Sequence, residues 1–174
     1  MRQDDPRKCT AAKLARLGLA RRVRVAAALP RRGVTLNPYS LEFLTLGDRD
    51  AIMTGGLSAI DCSWRLADVV FRRRFRGIPR RLPTLLAGNP VNYGRLNILS
   101  SAEALAAALY ICQRKEDAQK VLSVFKWGPT FLSLNGDALD EYSTAADQAD
   151  VLRIQEEYFQ GRTGTVRAKR PTRR

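Results

Sequence analysis

Histidine is absent from this chain of 174 residues. Ser-His-Asp and Cys-His mechanisms need an imidazole base, so both kinds of nucleophilic catalysis are excluded. The usual metallohydrolase sites are excluded too, because they hold their metal through histidine. An enzyme made from this chain is therefore expected to depend on an organic cofactor, on carboxylates or on backbone dipoles.

Cysteine is scarce as well. The chain has three cysteines, Cys9, Cys62 and Cys112, which is an odd number at widely separated positions. A disulfide framework uses paired cysteines, and a metal site uses cysteines or histidines at close spacing. The sequence therefore predicts neither a disulfide framework nor a bound metal.

Long apolar runs are missing from the sequence. No stretch approaches the roughly 18–20 apolar residues that a membrane span needs. Residues 1–10, MRQDDPRKCT, have acidic groups and a proline where a signal peptide has an apolar core. We therefore expect a cytoplasmic protein that makes no membrane contact.

Acidic residues are few relative to basic ones. Thirty Lys and Arg oppose seventeen Asp and Glu, which gives a formal net charge of +13. An excess of this size indicates a polyanionic partner. A charged thermophilic surface is the alternative, but such surfaces carry both signs in balance. The composition therefore favours contact with nucleic acid.

Strand and helix patterns alternate in the first half of the chain. TAAKLARL, residues 10–17, predicts a helix with Thr10 as its N-cap and Gly18 as its stop. A strand, a short helix and a second strand are then predicted at residues 33–38, 47–54 and 57–62. This order is typical of a parallel α/β unit.

Helical patterns dominate the second half. One further strand is predicted at residues 82–90, and helices then begin at about residues 100, 115, 129 and 147. The predicted fold class is α/β, with an N-terminal α/β sheet half followed by a mostly helical C-terminal half. The predicted division is an α/β domain (1–84), a mainly helical domain (85–160) and a basic, disordered tail (161–174).

The segment FRRRFRGIPRR, residues 71–81, contains six arginines and two phenylalanines. Arginines neutralise phosphates, while aromatic rings and guanidinium planes stack on exposed bases. A solvated loop is the alternative, but such loops more often mix Lys with Glu. We therefore predict that RNA is bound by the arginines of this segment: Arg72, Arg73, Arg74, Arg76, Arg80 and Arg81.

The stretch AIDCSW places Asp61 and Trp64 at the end of the predicted strand 57–62. Ligands of open α/β sheets bind at the carboxyl ends of strands, and a tryptophan beside a carboxylate suits a cationic ligand. SSAE, residues 100–103, predicts a capping box, whose helix terminus presents free amides to an anion. A turn-capping aspartate, a core tryptophan and a purely structural cap are the alternatives.

The chain resembles the small-subunit (16S/18S) rRNA aminocarboxypropyltransferase family. The resemblance runs from about residue 5 to residue 159 and rests on motifs in a fixed order: DPRKCT (5–10), KLARLGL (13–19), DCSW (61–64), LP..LAGNPVNYG (82–94), SSAEALAAALYI (100–111) and FKWG..FL.LN (125–135). It implies a fold related to the SPOUT RNA methyltransferases, with a trefoil knot.

The resemblance also implies an activity. The family uses S-adenosylmethionine without moving its methyl group. It transfers the 3-amino-3-carboxypropyl group to a 1-methylpseudouridine of small-subunit rRNA and releases methylthioadenosine. The expected partner is small-subunit rRNA or a pre-ribosomal particle, and the expected state is a monomer. Two alternatives stay open at this point: a SPOUT-like rRNA methyltransferase and a non-catalytic rRNA-binding assembly factor.

By resemblance, residue by residue, the cofactor contacts Thr10, Ile60, Asp61, Trp64, Leu82, Asn97 and Ser101. The family often has an aromatic residue near position 97, so a contact through the backbone would survive at Asn97 but a side-chain contact would not. We assign Asp61 the catalytic role of pairing with the ammonium of the amino acid arm. Asp61, Glu103 or solvent could accept the uracil proton, and we expect catalysis to depend mainly on positioning.

Overall fold

The structure is a computed structural model that describes residues 9–160, so the predicted basic tail lies outside the described residues. Three short strands form a parallel sheet in the order β2-β1-β3. They are β1 (Val34–Leu36), β2 (Leu57–Ala59) and β3 (Ile78–Arg80). The helices are α1 (Thr10–Arg16), α2 (Arg49–Gly55), α3 (Ala67–Val70), α4 (Ser101–Ile111), α5 (Lys115–Ser123), α6 (Gly128–Tyr142) and α7 (Gln148–Phe159).

The central strand β1 is buried along its whole length. Val34 pairs with Leu57 on one side and with Ile78 on the other, so all three strands point the same way. The predicted parallel α/β unit is therefore confirmed. The second strand is shorter than predicted, because β2 ends at Ala59 and residues 60–62 leave the sheet.

The third strand was predicted at the wrong place. It is Ile78–Arg80, inside the arginine-rich segment, whereas residues 82–90 form no regular strand. Pro79 is tolerated in β3 because this strand lies at the sheet edge. The apolar run that suggested a strand at 82–90 is buried instead as an irregular segment, whose backbone groups bond to side chains of later helices.

The helices of the second half are confirmed. In α4 the alanines at 102, 106, 107 and 108 are fully buried, which lets α1, α5 and α6 pack closely against this helix. Phe131, Leu139 and Tyr142 of α6 fill the centre of the core.

One cluster of buried apolar side chains joins the two halves. It includes Val34, Leu44 and Leu85 together with Leu122 and Leu139. The two-domain division at residue 84 remains a prediction. Among the described residues, no helix combines the length and the apolar character that crossing a membrane requires.

Candidate functional site

Asp61 lies beyond the carboxyl end of β2, where the chain has just left the sheet, and its side chain is exposed. Its two carboxylate oxygens accept hydrogen bonds from different elements. Ser101 Oγ donates to Oδ1 over 3.0 Å, and Cys9 Sγ donates to Oδ2 over 3.2 Å. The carboxylate is thereby held between the N-termini of α1 and α4.

Cys9 is the N-cap of α1, because its sulfur accepts a hydrogen bond from Ala12 N over 3.3 Å. The prediction of Thr10 as N-cap was therefore wrong, and Thr10 is the first helical residue. Sequence reasoning treated Cys9 only as an isolated thiol. Its position immediately before an alanine-rich helix was the available signal.

Burial raises the pKa of the Cys9 thiol, and the hydrogen bond and negative charge of Asp61 raise it further. Burial likewise raises the pKa of Cys62, with a smaller contribution from the charge of Asp61. Both thiols are therefore protonated at neutral pH. Protonation is what enables Cys9 to donate to the Asp61 carboxylate.

The predicted capping box at the start of α4 is confirmed. Ser100 Oγ accepts from Glu103 N over 3.3 Å, and Glu103 Oε2 accepts from Ser100 N over 2.7 Å. None of the hydrogen bonds recorded among residues 9–160 uses the amides of Ser101 and Ala102 as donors. These two amides are therefore free for an anionic ligand at the helix terminus beside Asp61.

Glu103 is fully buried, with an exposed fraction of 0%. Its Oε1 accepts from Gly88 N over 2.7 Å and from Asn89 N over 2.9 Å, and its Oε2 accepts from Asn89 Nδ2 over 2.7 Å. Together with the Ser100 amide, four donors occupy this carboxylate. Glu103 therefore holds the segment LAGNP in place and does not face the site, which removes it as a candidate proton acceptor.

Asn135 of α6 fixes the same segment from the other side. Its Oδ1 accepts from Leu86 N over 2.8 Å, and its Nδ2 donates to Leu86 O over 2.9 Å. Gly88 lies so close to α6 that a Cβ there would be 2.7 Å from Phe131 Cα. Glycine is needed at position 88 because the backbone passes directly over the helix.

Asn97 adopts a left-handed backbone conformation, with φ of 60°. Its side-chain Oδ1 accepts from Leu85 N over 3.2 Å, and its own N–H donates to Leu85 O over 2.9 Å. Asparagine tolerates this left-handed conformation better than most other non-glycine residues. The Asn97 side-chain oxygen and backbone N–H are thus both engaged by Leu85.

Trp64 begins the helical turn before α3, and its Nε1 donates to Leu99 O over 2.9 Å. This bond links the stretch after β2 to the residues just before α4. Trp64 is 37% exposed, so part of the residue faces solvent. Ile60 and Leu82 are half-buried, and Leu82 packs against the core.

The arginines of residues 71–81 divide into two groups. Arg72, Arg73, Arg74 and Arg76 are exposed on the turn between α3 and β3. Arg80 instead pairs with Glu42 over 2.6 Å and with Asp48 over 2.9 Å. Arg81 lies over the Phe43 ring at 3.7 Å, and burial lowers its pKa. Arg80 and Arg81 are therefore engaged within the protein, and the RNA contacts predicted for them stay a prediction.

An aromatic row accompanies the exposed arginines. The ring centroids of Tyr39 and Phe71 are 6.1 Å apart, and those of Phe71 and Phe75 are 6.2 Å apart. Tyr39 donates a hydrogen bond to Asp68, and burial together with this partner raises the pKa of Tyr39 to about 12. Sequence reasoning missed Tyr39, which lies far from the arginines in sequence.

Known proteins resemble this chain over nearly its whole length. The family model described as "Ribosome biogenesis protein, C-terminal" matches residues 34–159. The 16S rRNA aminocarboxypropyltransferase of Thermoplasma volcanium is 47% identical over 159 residues, which cover 91% of this chain and 94% of that protein. The protein of the same name from Methanopyrus kandleri is 46% identical over 161 residues, with coverage of 91% and 94%.

A solved structure agrees with the fold. The SAM-dependent rRNA:acp-transferase from Vulcanisaeta distributa superposes with a TM-score of 0.82 at 45% identity, covering 90% of this chain and 84% of that chain. A mixed α/β transferase associated with ribosome biogenesis is the class that these matches define. The chain belongs to the 16S rRNA aminocarboxypropyltransferase family. The predicted family and enzyme class are thereby confirmed.

A second family model, described as "Possible Fer4-like domain in RNase L inhibitor, RLI", matches residues 2–26. An iron–sulfur cluster of this kind is held by four cysteine thiolates. Residues 2–26 contain a single cysteine, Cys9, and the whole chain contains three. Cys9 is moreover engaged as a helix cap, so the residues present do not fit a cluster.

Proposed function

We propose that this protein transfers the 3-amino-3-carboxypropyl group of S-adenosylmethionine to a 1-methylpseudouridine of small-subunit rRNA and that methylthioadenosine is released. The observation that carries the proposal is the exposed Asp61 carboxylate, held by Cys9 and Ser101 beside two free amides of α4. A SPOUT-like relationship with a trefoil knot, a monomeric state and a cytoplasmic location belong to the same proposal.

The donor set fits this cofactor. The Asp61 carboxylate suits the ammonium of the amino acid arm, and the amides of Ser101 and Ala102 suit its carboxylate. The partly exposed Trp64 ring suits the positive charge on sulfur. Thr10, Ile60, Leu82 and the Asn97 backbone complete the proposed contacts.

Positioning is the main task of these residues. When bound, the cofactor supplies a methylene carbon that forms a bond to a uracil ring nitrogen, while the carbon–sulfur bond breaks and its electron pair stays on sulfur. Asp61 and the α4 amides grip the amino acid arm, so that its methylene carbon, rather than the methyl carbon, faces the RNA. The ring proton leaves to solvent or to Asp61, whose exposure permits either route.

The exposed arginines supply the rRNA contact in this proposal. Arg72, Arg73, Arg74 and Arg76 would neutralise phosphates, and Phe71 and Phe75 lie among them as stacking partners. The arginines begin one residue after α3, which is part of the same connection that carries Asp61 and Trp64. Substrate binding and cofactor binding thus share one stretch of chain.

Product analysis tests the proposal. Small-subunit rRNA is incubated with S-adenosylmethionine labelled either in the methyl group or in the amino acid carbons. We expect the amino acid label on RNA and methylthioadenosine in solution. Methyl label on RNA with adenosylhomocysteine would establish the methyltransferase alternative, and absence of any cofactor binding would establish the assembly-factor alternative.

A further inference from the structure

A second basic stretch, which the proposed function leaves unused, follows α1. Residues 21–32, RRVRVAAALPRR, contain five arginines and no acidic residue. All five are exposed: Arg21, Arg22, Arg24, Arg31 and Arg32. We refer to this stretch as the 21–32 segment, and its charge is unopposed within its own sequence.

The 21–32 segment lies against the turn that carries Arg72, Arg73, Arg74 and Arg76. The Arg76 guanidinium donates a hydrogen bond to Ala27 O. Thr35 Oγ1 donates to Arg76 O over 2.7 Å, which anchors that turn to β1. The two basic stretches are therefore neighbours in space, although about fifty residues separate them in the chain, and their positive charges act on the same ligand.

The 21–32 segment also contains a concave surface. A shallow, open groove of about 260 Å³ is lined by Arg21, Arg22, Val23, Arg24, Val25 and Ala28. Val25 is 61% exposed, which leaves apolar area uncovered between guanidinium groups. Apolar surface flanked by arginines suits a nucleotide of single-stranded RNA, since the base contacts the apolar wall and the phosphate contacts the guanidinium.

The strand directions relate this surface to the reaction site. The 21–32 segment ends just before β1, and Arg76 precedes β3, so both lie at the amino edge of the parallel sheet. Asp61 follows β2 at the carboxyl edge. Strands of three residues span about 10 Å, so the two edges of the sheet are close enough for one single-stranded RNA to reach both the Asp61 site and the groove.

We propose that the 21–32 segment binds single-stranded rRNA flanking the modified nucleotide, with its arginines on phosphates and one base in the groove. The inference rests on the proposed function, because it takes rRNA as the substrate. It extends the RNA surface from a single arginine-rich turn to a track built from two separate parts of the chain.

The test compares two triple variants that each remove three exposed positive charges. The first is Arg21→Ala/Arg22→Ala/Arg24→Ala, and the matched control is Lys120→Ala/Lys126→Ala/Arg153→Ala on the helical half. Fluorescence anisotropy with a labelled single-stranded oligouridine measures affinity over a series of salt concentrations. Circular dichroism confirms that both variants fold.

The first variant is expected to lose at least about tenfold in affinity, and the slope of log K against log salt should fall by about 2, because each phosphate contact to a single strand contributes about 0.7. The control should change far less. Equal behaviour of the two variants would overturn the proposal. So would loss of binding to anionic lipid vesicles with unchanged RNA binding, because the surface would then serve a membrane.

Cofactor binding separates this proposal from the one on which it rests. If the wild-type protein binds neither S-adenosylmethionine nor RNA, the proposed function itself is overturned. If the wild-type protein binds both ligands and the first variant keeps wild-type affinity for RNA, only the role of the 21–32 segment is overturned. Photocrosslinking of a 4-thiouridine strand should label peptides from residues 21–32, and labelling confined to the helical half would also overturn the role.

Discussion

The two halves of the molecule carry opposite charge. Residues 9–99 contain sixteen Lys and Arg against five Asp and Glu, whereas residues 100–160 contain five against ten. The first half has strands of only three residues and long irregular connections, while the second consists of packed helices. The proposed RNA contacts thus fall on the irregular, basic half, whereas the proposed cofactor site combines Asp61 of that half with Ser101 and Ala102 of the helical half.

The Glu103 carboxylate of the helical half accepts hydrogen bonds from Gly88 and Asn89 of the other half. Glu103→Ala would leave several buried donors without partners, and each costs about 1–3 kcal/mol. We expect the free energy of unfolding to fall by at least about 3 kcal/mol, measured by urea denaturation. Glu116→Ala, at an exposed site on α5, is the control and should be nearly neutral. If Glu103→Ala lowered the free energy of unfolding by as little as the control does, these hydrogen bonds between the halves would not stabilise the protein.

Asp61→Asn tests the chemistry assigned to the basic half. The loss of one charge-assisted hydrogen bond, about 1.5–3 kcal/mol, predicts a decrease of roughly ten- to hundredfold in affinity for S-adenosylmethionine by calorimetry. Stability should not change, because the side chain is exposed. Asp50→Asn on α2 serves as control. If the Asp61 variant bound S-adenosylmethionine with wild-type affinity, a group other than Asp61 would have to bind the ammonium of the amino acid arm.

Arg72→Ala/Arg73→Ala/Arg74→Ala should separate RNA binding from cofactor binding within one half. The salt slope for single-stranded RNA should fall by about 2, while the affinity for S-adenosylmethionine stays unchanged. The triple variant at Lys120, Lys126 and Arg153 again provides the comparison. If both variants weaken RNA binding equally, the charge difference between the halves has no functional meaning.

The smallest expected effect is on the reactivity of the Cys9 thiol, which contacts Asp61. Asp61 raises the pKa of Cys9, so Asp61→Asn should lower that pKa and increase the thiolate fraction at any pH below it. Alkylation of Cys9 by iodoacetamide near pH 8, followed by peptide mass spectrometry, should therefore be faster in the variant. Cys112, whose burial raises its pKa to about 12, should stay unreactive in both proteins. An unchanged rate at Cys9 would contradict the contact between the thiol and the carboxylate.

The sequence was most informative where local rules decide the structure. The capping box at Ser100 and Glu103, the helices from α4 to α7 and the stop at Gly18, with φ of 69°, follow from short-range signals. The family resemblance, rather than a local rule, predicted that Asp61 and Ser101 belong to one site, and their side chains are hydrogen bonded.

The errors occurred where tertiary contacts override local pattern. Residues 82–90 have the composition of a strand, yet their backbone groups bond partly to the side chains of Glu103 and Asn135 and partly to residues 94–97, without joining the sheet. Ile78–Arg80 was hidden among arginines because Arg80 is neutralised by Glu42 and Asp48, two residues whose proximity no local rule reveals. The bond from Cys9 to Asp61 spans 52 positions and could not be predicted for the same reason.

The edge strand β3 has a consequence for how copies of this protein meet. Ile78 N–H and Arg80 C=O bond toward β1, so Pro79 faces outward, where it offers no N–H. Its carbonyl already accepts from Ser40 Oγ and from an Arg80 guanidinium. An incoming strand would find neither a free donor nor a free acceptor at the middle of this edge, so the β3 edge of the sheet resists the addition of a strand from a second copy.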